Sequence, residues 1–254
     1  MKLQTITQVI QNYHYSDTDY LDLSGLELTT IPKEVFELPN LRVLDLSNNS
    51  ITELADDLQE LTELGVLKLK NNQLTNLPDS FGNLKNLYQL DLEDNQFSNF
   101  PSPLLGLFNL QSLNMGHNQI SSLPDFEGRL NKLNSISLYK NKFTDFPISL
   151  IQIIKLKSLD LGGNQITTIP DFTGCFLSLS ELSFSNNNLN SLPETLSSLS
   201  NLASLDLRHN QIDLIPHFLS QFKKIFRIDL KNDDWYYNCA VSYTHLTLPT
   251  IYSV

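Results

Sequence analysis

Apolar residues return along the chain in steps of 23. Leu41 opens a phrase that recurs at Leu64, Leu87, Leu110, Leu133, Leu156, Leu179 and Leu202 without insertion or deletion. In 41–54 it reads LRVLDLSNNSITEL, in 87–100 LYQLDLEDNQFSNF and in 156–169 LKSLDLGGNQITTI. Within the phrase, the alternation at Leu44, Asp45 and Leu46 predicts a short strand with one buried face. A fixed period of this length marks a stack of units, each covering the apolar face of the next. The strands of successive units then pair in parallel, about 4.8 Å apart.

Two further positions recur. Asparagine stands at Asn49, Asn72, Asn95, Asn118, Asn141, Asn164, Asn187 and Asn210. The chain must turn inward there, leaving backbone groups without ladder partners, and a buried amide both donates and accepts. A ladder of Asn side chains through the stack is expected, with Leu26 and Asp233 in the equivalent places at the two ends. Proline follows at Pro32, Pro78, Pro101, Pro124, Pro147, Pro170, Pro193 and Pro216, with Ala55 the exception, and starts the return path. Val35, Leu58, Phe81, Leu104, Leu150, Leu196 and Leu219 are expected to point inward from the outer side. In two units, PDFEG (124–128) and PDFTG (170–174) move the apolar residue to Phe126 and Phe172. There the outer segment is expected to turn at Gly128 and Gly174 instead of forming a helical turn.

Nine full units run 18–40, 41–63, 64–86, 87–109, 110–132, 133–155, 156–178, 179–201 and 202–224, and a truncated tenth occupies 225–240. The pattern Lxx(L/I)x(L/F/M)xxNx(L/I/F)xx(L/I/F)P resembles the leucine-rich repeat family over roughly residues 18–235. Its 23-residue form is similar to that of Ras-suppressor-like, plant Ras-group-related and bacterial cytosolic repeat proteins. The resemblance implies an α/β solenoid: a horseshoe with a parallel concave β-sheet and short helical or irregular convex segments. Residues 1–17 fall outside the repeat. Leu3, Ile6, Val9, Ile10 and Tyr13 recur at helical spacing, which predicts a cap over the open apolar end. From Val241 the text changes to VSYTHLTLPTIYSV. Residues 241–250 resemble a transposon-derived sequencing adapter read in one frame, which implies a non-native tail after a natural sequence that leaves near Cys239. On residue type alone, Leu246, Leu248 and Ile251 would instead form a C-terminal strand cap.

Charge narrows the partners. The 254 residues carry 17 Lys and Arg against 28 Asp and Glu, a formal charge of −11. Phosphate-binding surfaces need the opposite sign, so nucleic acid and an anionic membrane surface are not expected partners. The acidic balance suits a soluble monomer. Two cysteines, Cys175 and Cys239, make no disulfide framework. The opening MKLQTITQVIQNYHY lacks the apolar core of a signal peptide, and no stretch reaches the roughly 20 apolar residues of a membrane span. The expected compartment is the cytoplasm.

Chemistry is sparse. His117 and His209 lie four repeats apart, about 20 Å, too far to share a metal. His14, His217 and His245 have no ligand partners at suitable spacing. Cys175, beside Phe172 and Phe176, is expected as a buried structural thiol. Gly162-Gly163 lacks the Lys and helix of a phosphate loop. No enzyme activity, metal or cofactor is expected. What remains is the concave face. Its central row reads Asp22, Asp45, Lys68, Asp91, Asn114, Ser137, Asp160, Ser183, Asp206 and Asp229; the next reads Ser24, Ser47, Lys70, Glu93, Gly116, Tyr139, Gly162, Ser185, Arg208 and Lys231. Solenoid curvature makes such a face a binding surface. The expected partner is a protein segment with basic residues, touching Asp45, Lys68, Asp91, Tyr139, Asp160, Asp206 and Arg208. Tyr139 is the aromatic anchor among small neighbours. Alternatives are the recognition part of a larger signalling enzyme (a GTPase, kinase or ubiquitin ligase) and a surface adhesin.

Overall fold

The structure, a computed structural model, describes residues 7–10, 13, 18–38, 40–212, 216–221, 227–229 and 237–238. The expected alternation produces strands of three residues: β1 (Tyr20–Asp22), β2 (Val43–Asp45), β3 (Val66–Lys68), β4 (Gln89–Asp91), β5 (Ser112–Asn114), β6 (Ser135–Ser137), β7 (Ser158–Asp160), β8 (Glu181–Ser183), β9 (Ser204–Asp206) and β10 (Arg227–Asp229). Each pairs in parallel with the next at a constant offset of one repeat, so Leu21 faces Leu44 and Leu44 faces Leu67. A two-residue strand, β11 (Tyr237–Asn238), joins β10 antiparallel and was not expected from the repeat. The sheet order follows the chain from β1 to β11.

Successive strand leucines stack into one core. Leu21, Leu44, Leu67, Leu90, Leu113, Ile136, Leu159, Leu182 and Leu205 are each at most 2% exposed. Each such burial stabilises by about 1.5–3 kcal/mol. On the outer side, Val35, Leu58, Phe81, Leu104, Leu150 and Leu196 close the same core. They sit on short 3₁₀ turns, Lys33–Glu37, Asp56–Glu60, Asp79–Asn83, Ser102–Gly106, Ile148–Gln152 and Glu194–Ser198, with a seventh at His217–Gln221. Proline, or Ala55 in the second, stands just before each of the first six. The 3₁₀ form has a physical cause. Few residues link the proline to the next strand, and a 3₁₀ turn rises about 2.0 Å per residue against 1.5 Å for an α-helix. Neighbouring turns pack closely where glycine allows it: a Cβ on Gly106 would lie 2.9 Å from the Gly82 carbonyl oxygen.

The two PDF units have no such turn. Gly128 and Gly174 adopt φ of 72° and 77°, which L-residues other than glycine rarely hold. Phe126 and Phe172 are fully buried and meet Phe100 and Phe146 of the preceding repeat edge-on, at centroid distances of 5.6 and 5.1 Å. The larger aromatic fills the space that the missing 3₁₀ turn leaves.

The asparagines make a regular set of bonds. In Asn118, Oδ1 accepts the Phe97 N–H at 3.0 Å, while Nδ2 donates to the carbonyls of Leu92 and Met115 at 3.0 and 3.1 Å. Asn72, Asn95, Asn141, Asn164, Asn187 and Asn210 repeat this with their own neighbours. Asn49 accepts twice, from Leu26 and Leu28 N–H. The amides therefore bond through the intervening backbone, not to one another, and each ties two repeats together.

The residue before each rung is left-handed: Gly25, Asn48, Asn71, Asp94, His117, Lys140, Gly163, Asn186 and His209 all have φ between 50° and 68°. Gly, Asn, Asp and His tolerate this region best, which accounts for the residue types found there. Lys140 is the exception. At the N-terminal end, residues 7–10 and 13 are helical, Ile10 joins the core, and Val9 and Tyr13 pack against it. Leu3, Ile6, residues 222–226, 230–236 and 239–240, and the whole 241–254 tail lie outside the described residues.

Candidate functional site

Alternation within each strand decides what faces the partner side. Leu44 and Leu46 are fully buried, so Val43, Asp45 and Ser47 project the other way. Three rows therefore line the concave face. The third, Tyr20, Val43, Val66, Gln89, Ser112, Ser135, Ser158, Glu181 and Ser204, was missed because the repeat pattern marks it as variable. The same alternation that turns Asp45 away from the core would have found it. Small residues in the Ser47 row are buried more than expected: Ser47 is 8% and Ser185 7% exposed.

The central-row side chains share a local task. Asp22, Asp45, Asp91, Asp160 and Asp206 each accept the backbone N–H two residues on, at 2.9–3.1 Å. Asn114 does the same for Gly116 at 3.1 Å. This bond fixes the strand exit, so the aspartates are partly explained by the fold itself.

Most charges on this face cancel within the chain. Lys68 binds Asp45 at 3.0 Å, and this bond raises the Lys68 ammonium above its ordinary pKa. Lys70 pairs with Glu93 at 2.8 Å. Burial alone would raise the Glu93 carboxyl, but Lys70 and the Asn114 amide together hold it below the usual range. Arg208 grips Asp206 with two bonds, Nε to Oδ1 at 2.9 Å and Nη2 to Oδ2 at 2.6 Å. The remaining candidate carboxylates behave differently. Burial pushes both Asp91 and Asp160 above the usual carboxylate range, against the pull of the Glu93 and Gly162 N–H groups. Among the described residues neither is ion-paired.

Tyr139 stands between those two carboxylates, on the segment that leaves β6. Its ring leans over Gly162. A Cβ there would sit 2.8 Å from Ser185 Oγ, 3.0 Å from Tyr139 Cδ2 and 3.1 Å from Asp160 Oδ1, so three side chains converge above one glycine. Lys140 Nζ lies 5.4 Å from the Tyr139 ring centroid, and the His117 ring lies 5.4 Å away. The seven residues expected to bind thus fall into two internally paired sets, Asp45 with Lys68 and Asp206 with Arg208, and a central group of Asp91, Tyr139 and Asp160.

The repeat is recognised by family models for leucine-rich repeats, over residues 18–74 and 154–212 for one and 108–152 for another. The chain belongs to the leucine-rich repeat family. The matched models describe repeat units and not an enzymatic domain, and domains of this family are typically protein-interaction modules. Among solved structures, a leucine-rich repeat protein of Leptospira interrogans is 39% identical, with a TM-score of 0.79, over 83% of this chain and 54% of that one. An internalin of Listeria monocytogenes is 26% identical, with a TM-score of 0.73, over 84% of this chain and 61% of that one. The plant peptide hormone receptor RGFR1, in complex with RGF2, is 31% identical, with a TM-score of 0.69, over 83% of this chain and 35% of that one. The chain therefore spans between about a third and three fifths of these relatives. No curated protein matches it.

Elsewhere this leucine-rich repeat protein shows packing more than chemistry. His117 and His209 are left-handed turn residues. Cys175 is half-buried where full burial was expected, because its segment has no 3₁₀ turn to cover it; its thiol lies 3.8 Å from the Thr173 carbonyl. Among the described residues, no three His, Cys, Asp or Glu side chains gather as for a metal, and no helix is long and apolar enough to cross a membrane. A second asparagine row was also missed. Asn86, Asn109 and Asn201 each donate to a carbonyl in the preceding repeat, of Thr62, Lys85 and Leu177, at 2.8, 2.7 and 2.6 Å. Its signal was the Asn-Leu pair at the junction with the next repeat.

Proposed function

We propose that this leucine-rich repeat protein is a non-catalytic interaction module that binds a partner protein on its concave face, in the cytoplasm and as a monomer. The observation that carries the reading is the central group on that face. Two desolvated carboxylates without ion partners among the described residues flank an aromatic side chain, on a face where Asp45, Glu93 and Asp206 already hold cations of the same chain. Buried charge without a partner is costly, and a partner's cation offsets that cost on binding. Tyrosine supplies apolar area with few rotors to immobilise. A partner segment rich in Lys or Arg suits this surface.

A second reading has one observation in its favour. The solved relatives are longer than this chain, and one is a peptide hormone receptor in complex with its ligand. On that reading the repeats are the recognition part of a larger signalling protein, and the concave face has the same task.

The test compares two bulky substitutions. Ser137→Trp fills the concave centre, and Glu60→Trp burdens the convex side. Proteins recovered from cell extract by each variant and by the native chain are quantified by mass spectrometry. The concave variant is expected to lose a set that the convex variant keeps. Equal recovery by all three refutes concave binding.

A further inference from the structure

We propose that the middle of the concave face holds an extended basic segment laid across the strands, with two Lys or Arg side chains about four residues apart seated on Asp91 and Asp160. This rests on the reading of the concave face as the binding surface and adds to it the chemistry and spacing of the ligand.

The spacing comes from the register. Asp91 in β4 faces Asn114 in β5, Asn114 faces Ser137 in β6, and Ser137 faces Asp160 in β7. Three strand steps amount to about 14 Å. An extended chain advances about 3.3–3.6 Å per residue, so about four residues cover that distance. Residues an even number apart in an extended chain point to the same side, so both cations can face the sheet together. Between the two carboxylates the central row holds only the short side chains of Asn114 and Ser137, which leave the path open.

The choice of these two carboxylates comes from the charge map. Asp45, Glu93 and Asp206 already hold Lys68, Lys70 and Arg208. Asp91 and Asp160 hold backbone N–H groups and, among the described residues, no cation. Burial raises the free energy of both charges, which a bound ammonium or guanidinium reverses.

The third support is a local break in the repeat at the same place. Tyr139 is the aromatic residue in a row whose neighbours are Gly116 and Gly162, and among the left-handed residues that precede the asparagine rungs Lys140 is the exception to the Gly, Asn, Asp and His set. Departures from a local rule tend to gather where a protein acts. The Tyr139 ring already carries the Lys140 ammonium at 5.4 Å, so its face accepts a cation. Lys140 is exposed and can swing away when a ligand's side chain, on its way to Asp160, takes its place.

A library of random short peptides is displayed and selected on the immobilised chain, and enriched peptides are measured by fluorescence anisotropy against native and variant proteins. The variants are Asp91→Asn, Asp160→Asn and Gly162→Ala. Asparagine keeps the strand-exit bond, as Asn114 shows in β5, so the first two remove charge while leaving the fold. The added methyl of Gly162→Ala meets side-chain atoms of Ser185, Tyr139 and Asp160, which move aside. Enriched peptides are expected to carry two basic residues at the four-residue spacing. Binding should fall about tenfold for each Asn variant, fall for Gly162→Ala, and weaken when the spacing is changed by one residue. Peptides that compete with one another and are blocked by Ser137→Trp, yet show no spaced basic pair and no response to the Asn variants, overturn this inference while leaving concave binding intact. Peptides that ignore every concave variant, or no enrichment at all, overturn both.

Discussion

Removing one asparagine rung tests the account of what joins the repeats. Asn118 is 8% exposed and makes four bonds: it accepts the Phe97 N–H and donates to the carbonyls of Leu92, Met115 and Gly116. Those carbonyls have other donors. Leu92 O also takes Asn95 Nδ2, Met115 O also takes Asn141 Nδ2, and Gly116 O also takes the Asp94 N–H. In Asn118→Ala, then, one buried group loses its partner, the Phe97 N–H. An unsatisfied buried donor costs about 1–3 kcal/mol, and the small void adds to that. Asn118→Asp keeps the acceptor but turns a carboxylate toward three carbonyl oxygens. It should be worse than alanine at pH 7. That carboxyl will sit above its unfolded-state value, so folding favours its protonated form. The stability it contributes is present below the unfolded value, about 3.9, and is lost as pH rises through the folded one. The Asp variant should therefore recover toward native stability near pH 4, while the Ala variant should not. Urea unfolding at both pH values gives the order of stabilities, and native-state hydrogen exchange at the Phe97 amide reports the orphaned donor directly. An Asp variant no weaker than the Ala variant at pH 7, or unchanged Phe97 protection in the Ala variant, would refute the bonding scheme.

Three further outcomes follow from the same structure. The folded chain holds the Asp91 and Asp160 carboxyls above their ordinary range, so the stability linked to them is present at low pH and lost as pH rises; Asp91→Asn/Asp160→Asn should raise the urea midpoint at pH 7 and gain nothing near pH 4. Gly106→Ala drives a methyl to within 2.9 Å of the Gly82 carbonyl oxygen, and backbone cannot yield as a side chain does, so thermal unfolding should show a loss of about 1–3 kcal/mol. Lys140→Asn relieves a left-handed lysine and should stabilise by about 1 kcal/mol in denaturant unfolding, with the Tyr139 ring losing its cation.

The backbone plan was readable because it is local and written nine times. Alternation at Leu44 and Leu46 sets each strand, the constant offset sets the register, and the prolines begin the outer turns. Even the two exceptions were visible, since Gly128 and Gly174 stand where a left-handed turn is needed. Charge pairing was readable only in part. Lys68 is in register with Asp45 on one side and Asp91 on the other, and nothing in the repeat says which it will hold. In the structure Lys68 holds Asp45, and Lys70 next door holds Glu93. The Arg208–Asp206 pair was legible, since alternation puts the two on one face of the same strand exit. The left-handed row was present in the sequence as Gly, Asn, Asp and His, but a pattern that tracks apolar positions skips over it.

These pairings change what the acidic concave face means. An aspartate that accepts the N–H two residues on serves the fold, and the common LDLS phrase needs no further cause. Asn114 shows, however, that the bond needs an oxygen and not a charge. At Asp45 and Asp206 the charge is met by a cation of the same chain, so it too is absorbed by the scaffold. At Asp91 and Asp160 it is ion-paired with none among the described residues, in surroundings that raise its free energy. Neither strand exit nor solubility accounts for a half-buried negative charge when asparagine would make the same bond without it. What the fold does not use is left to face a partner, and the two positions lie on either side of the one tyrosine in the row.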